Sequence, residues 1–265
     1  MRGDPPAPPS SSVAPGPIEV LLVAALLREV RPFLRRAAAR PRGDLGRPAW
    51  EVAVREGRAL LLVAGPGPEA AARAAAAALC HAGPRVLVSL GFGGALTPEP
   101  ALGEVVLGET CWQFDPEKGS LRAISPPPPR PLAELLRLLQ DAGLPAGAGS
   151  LVTAPGIIHK AVQGRPLTEL FRPVLDLESA PLAELAATRG LAFLGLRAVT
   201  DGAGEEIPEF IREACQAGEE PGLAAAFSWA ARDPRRFRFL IRMWRRSRVA
   251  AQELARALEV LLPLL

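Results

Sequence analysis

Three carboxylates stand at the ends of apolar runs, where a fold can gather them at the edge of its core. Asp201 closes "FLGLRAVTD" just before a glycine loop, Glu178 closes "VLDLE", and Glu29 follows "LLVAALLR". An acid at a strand end can donate a proton to a leaving group if its pKa is raised, which makes Asp201 a candidate general acid. A carboxylate such as Glu178 can accept two hydrogen bonds from vicinal hydroxyls. Glu29 could act as a general base on water. Each also has a purely structural reading: an Asx turn for Asp201-Gly202, an N-cap or ion pair for Glu178, and an exposed helix acid beside Arg28 for Glu29.

The stretch "VLDLESA" poses a second question. Asp176 and Glu178 interrupt an apolar run and share one face by strand alternation. Buried carboxylates are costly unless paired. Arg197, inside the apolar run "FLGLRAVT", could pair with either.

Two glycine-rich stretches complete the candidate chemistry. "GPGPEA" (65–70) matches a dinucleotide-binding turn, but the next strand, "RVLVSLG", lacks the acid that would hold a ribose. Pro66 and Pro68 also remove two backbone donors. In "SLGFGGAL" (89–96), Gly91, Gly93 and Gly94 permit a tight turn and close backbone approach to a ligand.

These residues need strands that end together. Ile18–Ala25 reads as a buried strand followed by a helix over Leu27–Ala39. Trp50–Arg55 and Ala59–Ala64 read as a hairpin turning at Glu56-Gly57. "GPGPEAAARAAAAAL" opens a helix, and Arg85–Leu90 is a strand ending in the glycine turn. Gly103–Thr110, Gly149–Thr153, Val174–Leu177 and Leu191–Thr200 are further strands. "SPPPPRP" is a stiff linker before an amphipathic helix at Leu132–Ala142. The alternation predicts one α/β domain over 18–265, a mixed, twisted central sheet flanked by helices.

The chain ends in a long helix. Phe237, Leu240, Ile241 and Trp244 form one apolar stripe, with Arg235, Arg236, Arg238, Arg242, Arg245, Arg246 and Arg248 on nearby turns. That pattern fits a solvated helix packed on the sheet, or a basic amphipathic helix touching an anionic membrane surface.

Composition narrows the classes. A net charge of +3 gives no argument for nucleic acid, and there are only two lysines, Lys118 and Lys160. Cys80, Cys111 and Cys215 make no paired framework and read as buried free thiols in a reducing compartment. Two histidines, His81 and His159, make no metal site, and no cofactor is expected. Residues 1–17 are Pro/Ser-rich and read as a disordered tail. The apolar run after them contains Glu19 and is too short to span a bilayer; "REVRPFLRR" follows it where a signal peptide would have a cleavage site. The expected location is the cytoplasm.

In order along the chain, "LLVAALLREV", "AGPGPEAA", "SLGFGGAL", "GEVVLGE", "VLDLESAPLA" and "FLGLRAVTDGA" resemble the nucleoside phosphorylase/nucleosidase superfamily. The resemblance is greatest to its nucleosidase branch, the methylthioadenosine/adenosylhomocysteine nucleosidases. It implies that Asp201 protonates the purine N7, Glu178 binds the ribose with Leu177 under the sugar, and Glu29 activates water. It implies that Arg197, the arginine of the strand before the acid, binds the substrate together with Phe92 and Gly93 of the glycine stretch, and that the backbone of Ile157 and Ile158 meets the purine edge. It further implies a homodimer whose partner closes the 5′ side of the pocket.

Three departures bear on the substrate: Phe92 stands for a usual serine, Ile157 for an aromatic, and Leu177 for methionine. The glycine stretch and the Arg-rich final helix look more like hopanoid-associated members, which release adenine from adenosylhopane. Ser89 stands where the phosphorylase branch tends to carry a phosphate-binding arginine, and Glu29 where it has a basic residue. Hydrolysis is therefore expected, with phosphorolysis as the alternative and a catalytically silent nucleoside-binding protein as a reading of another class.

Overall fold

The computed structural model describes residues 16–55, 57–219, 222–231 and 233–265. The expected Pro/Ser-rich tail lies outside them except for Gly16 and Pro17, as does Glu56 of the expected hairpin turn.

Among the described residues ten strands form one mixed sheet: β1 (Ile18–Ala24), β2 (Arg40–Arg42), β3 (Ala49–Val54), β4 (Gly57–Val63), β5 (Val86–Ala95), β6 (Val105–Asp115), β7 (Ser120–Ile124), β8 (Ala146–Thr153), β9 (Val174–Asp176) and β10 (Ala192–Asp201). The helices are α1 (Leu27–Arg36), α2 (Pro68–Leu79), α3 (Leu132–Asp141), α4 (Lys160–Gln163), α5 (Ser179–Arg189), α6 (Glu209–Gln216), α7 (Leu223–Ala230) and α8 (Pro234–Leu261).

Parallel pairs β4–β1–β5–β10 form the centre of the sheet. Beyond β10, strands β6, β8 and β9 follow, and β9 pairs antiparallel back onto the far end of β5. Strands β5, β10, β6, β8 and β9 thus close on themselves as a small barrel, while β1, β4, β3 and β2 form an open wing.

Strand alternation sends one set of side chains to each face. Val20, Leu22, Leu61 and Val88 pack with α1, α3 and the second half of α8. Leu21, Leu60, Leu62 and Leu87 pack against the alanine faces of α2 and α5. Small alanines let these helices sit close to a sheet that is itself leucine- and valine-rich.

Three expectations are corrected. The glycine stretch 91–94 is not a turn: β5 runs through it to Ala95, because β9 and β10 both pair with this segment and extend the ladder. The stripe at 237–244 does not pack on the sheet. Phe237, Ile241 and Trp244 are exposed, and α8 instead buries Ala250, Leu254, Leu258 and Leu261. Of the three free cysteines only Cys111 is buried; Cys80 is exposed and Cys215 half-buried.

Candidate active site

The parallel strands β1, β4, β5 and β10 end on the same side of the sheet, and a cavity of about 190 Å³ lies there. Glu29, Glu178 and Asp201 all face it. Glu29 follows β1 and Asp201 ends β10, parallel strands that run toward this edge; Glu178 follows β9, which runs antiparallel across the far end of β5 and so reaches the same edge from the other direction.

Glu29 is the third residue of α1, and it is buried rather than exposed. Its Oε2 accepts the Leu26 backbone N–H at 2.8 Å, closing the first turn of the helix, and its Oε1 accepts the Phe92 N–H at 3.0 Å. A Cβ on residue 91 would lie 2.9 Å from Glu29 Oε1, so Gly91 leaves the room this carboxylate needs. Burial pushes the Glu29 pKa up, against the pull of the Phe92 and Leu26 N–H groups and of Arg197 and Arg28.

Glu178 is not a strand residue. Strand β9 stops at Asp176, and Glu178 is the N-cap of α5. Its Oε1 accepts the Gly67 N–H at 3.0 Å, from the turn before α2. Its Oε2 lies 3.8 Å from the Arg197 guanidinium. Burial raises its pKa to about 7; Arg197 opposes the rise, while the charges of Asp176 and Glu29 add to it.

Arg197 pairs with both acids, and more closely with Asp176: its Nε lies 3.0 Å from Asp176 Oδ2, although the N–H is not aimed at that oxygen. Arg197 also donates to Ser89 Oγ at 2.8 Å and to its neighbour's carbonyl, Leu196 O, at 2.9 Å. Its side chain has no solvent exposure, and it does not wall the cavity. It therefore differs from the expected substrate-touching residue and supports Glu178 from behind. Asp176 is equally enclosed. Its Oδ1 accepts Thr153 Oγ1 at 2.5 Å and the N–H groups of Glu178 and Ser179, each at 3.1 Å, so it fixes the start of α5.

Asp201 ends β10. Thr200 Oγ1 donates to its Oδ1 at 2.8 Å, and the ammonium of Lys160 contacts its Oδ2. Lys160 is 7% exposed and walls the same cavity. Sequence reading missed it; its rarity in a chain with two lysines was the one available signal.

Phe92, Gly93, Ile157, Ile158 and Leu177 all line the cavity as expected. Pro66 of the "GPGPEA" turn does too. The sequence did not reveal the far wall, where Ile207, Ile211 and Cys215 from α6 and its preceding loop meet Met243 and Ser247 of α8. Among the described residues no cluster of His, Cys, Asp and Glu could hold a metal, and no helix is long and apolar enough to cross a membrane.

Several solved structures share this architecture. Futalosine hydrolase of Helicobacter pylori superposes with a TM-score of 0.69 at 14% identity, covering 94% of this chain and 98% of that one. The methylthioadenosine/adenosylhomocysteine nucleosidase of Campylobacter jejuni gives 0.66 at 18% identity, covering 91% and 99%. The corresponding enzyme of Neisseria meningitidis, in complex with methylthio-immucillin-A, gives 0.67 at 18% identity, covering 93% and 99%. No curated relative matches the chain in sequence. A model of the phosphorylase superfamily matches residues 19–224, most of the sheet and all three carboxylates, and the chain belongs to that superfamily.

Proposed function

We propose that the protein hydrolyses the N-glycosidic bond of a purine nucleoside, releasing adenine from a ribose with an altered, apolar 5′ substituent. The observation that carries this reading is the convergence of Glu29, Glu178 and Asp201 on one cavity. The solved relatives named as hydrolase and nucleosidases support it.

The chemistry follows from the positions. Asp201 gives its proton to the base N7, and the electron pair of the breaking bond moves onto the base. The sugar becomes oxocarbenium-like, a charge that nearby carboxylates favour. Glu178 accepts hydrogen bonds from the ribose hydroxyls, with Leu177 beneath the sugar. Glu29 takes a proton from the water that adds to C1′. The base would lie against Phe92, Gly93 and the backbone of Ile157 and Ile158. A positioned acid contributes about 10²–10⁴-fold. Water is favoured over phosphate because a phosphate dianion needs free cations. Among the described residues two cationic side chains wall the cavity, and Lys160 is fully engaged, which leaves Arg28.

The finer reading concerns the substituent and the surroundings. The wall from Ile207, Ile211 and Met243 suits an apolar 5′ group. The same helix, α8, exposes Trp244, Ile241 and Phe237 among arginines. A lipid-tailed nucleoside such as adenosylhopane, met at an anionic membrane surface from the cytoplasm, fits both features, and a second copy of the chain would close the 5′ side.

The test is incubation with methylthioadenosine, adenosylhomocysteine, inosine and adenosylhopane, with and without phosphate, and identification of the sugar. Free ribose derivative and adenine are expected, abolished in Asp201→Asn. A ribose 1-phosphate product overturns hydrolysis, and binding without turnover makes the protein a silent binder. Sedimentation with anionic vesicles at low salt, lost in Trp244→Ala, tests the membrane contact; sedimentation velocity tests the dimer.

A further inference from the structure

We infer that Lys160 is a positioning residue for Asp201, acting only on the protonation of the leaving base. The inference rests on the nucleosidase reading above. An ammonium has three N–H donors, and all three of Lys160 have acceptors: Ala95 O at 3.0 Å, Gly202 O at 2.9 Å and Asp201 Oδ2. Those acceptors come from the end of β5, the end of β10 and the loop beyond it. Lys160 therefore ties three segments to one carboxylate and has no donor left for a ligand of its own.

The loop beyond Asp201 is clasped in return. The Glu206 carboxylate accepts the backbone N–H groups of Lys160 at 3.3 Å and Ala161 at 2.9 Å. With Thr200 Oγ1 on Oδ1, both oxygens of Asp201 are fixed in direction.

A buried ion pair is a poor device for stability alone, since apolar replacements of similar volume often do as well. Its place at the wall of the cavity, against the acid, assigns it a different use. The step runs from the form in which Asp201 carries a proton: when its O–H bond breaks and an N–H bond forms on the base, the base takes the glycosidic electron pair and Asp201 is left as the carboxylate of the ion pair. The Lys160 ammonium is already in contact with that charge, with no reorganisation needed at the moment of reaction.

The contribution exists only where the leaving group must be protonated. The experiment compares Lys160→Met with wild type on two substrates: the best-cleaved of the four nucleosides above, and 4-nitrophenyl β-D-ribofuranoside, whose leaving group departs as a stable anion. For the nucleoside, kcat should fall about 10²-fold with KM little changed. The nitrophenyl riboside should be cleaved at close to the wild-type rate, and ethylammonium should restore part of the nucleoside activity. Equal losses on both substrates, or no loss on either, overturn the inference while the nucleosidase reading stands. If wild type cleaves neither substrate, the nucleosidase reading falls and this inference with it. Should Lys160→Met not fold, Lys160→Gln keeps N–H donors for the two carbonyls, and the same selectivity is expected of it.

Discussion

A single methyl group should separate the acid from its lysine. In the extended segment of β5, a Cβ built on Gly94 would lie 2.9 Å from Lys160 Nζ and 3.1 Å from its Cε, and closer still to Asp201 Oδ2. Ordinary contact begins at 3.4 Å, so Gly94→Ala requires the pair to move. The backbone there has no positive φ, so alanine is not strained by its own conformation. Restoring ordinary contact moves the carboxylate by about 1 Å, and a misplacement of that size in a reacting group costs about 10²-fold in rate. Overpacking of this kind destabilises by about 1–3 kcal/mol, which leaves a folded protein to assay. The measurement is kcat and KM for the nucleoside and for the nitrophenyl riboside, beside a thermal unfolding curve. The expected result is a loss of kcat on the nucleoside, with the riboside largely spared. A Gly94→Ala protein that cleaves the nucleoside at the wild-type rate would refute the claim that the position of Asp201 matters.

Two further outcomes follow from the acids behind and beside the sugar. Asp176→Asn keeps an acceptor for the start of α5 but removes the charge paired with enclosed Arg197; breaking a buried pair from one side costs about 3–5 kcal/mol. Urea unfolding should show that loss, and an unchanged midpoint would mean that Arg197 is satisfied by Ser89 and Glu178 alone. Glu178 holds its proton more tightly when folded, its pKa being raised from 4.5 to about 7. The folded state therefore binds more protons in that window, and stability falls as pH rises through it, by at most about 3 kcal/mol. Glu178→Gln removes the titration. The wild type should lose more in Tm than the variant between about pH 5 and pH 8, and equal losses would place the raised acid elsewhere.

The sequence determined the fold class and the identity of the three carboxylates. Continuous apolar runs in β1, β4, β5 and β10, and glycine at 65 and 67 before α2, are local features that survive without neighbours. Asp201, Glu178 and Glu29 could be singled out because an acid at the end of an apolar run is conspicuous in one dimension. Strand alternation paired Asp176 with Glu178, and both do meet Arg197, although Glu178 lies beyond β9 at the start of α5 and reaches it from there. Only the tertiary structure decided which acid Arg197 holds more closely, because that depends on the distance between β9 and β10, strands that do not touch in sequence. It alone turned the glycines of β5 from a turn into a strand, since two other strands supply the ladder that keeps it extended. It alone brought Lys160 to Asp201, 41 residues away. A lone lysine opening a four-residue helix carries no periodic signal, and its partner is set by the closing of the barrel rather than by any local preference of the chain.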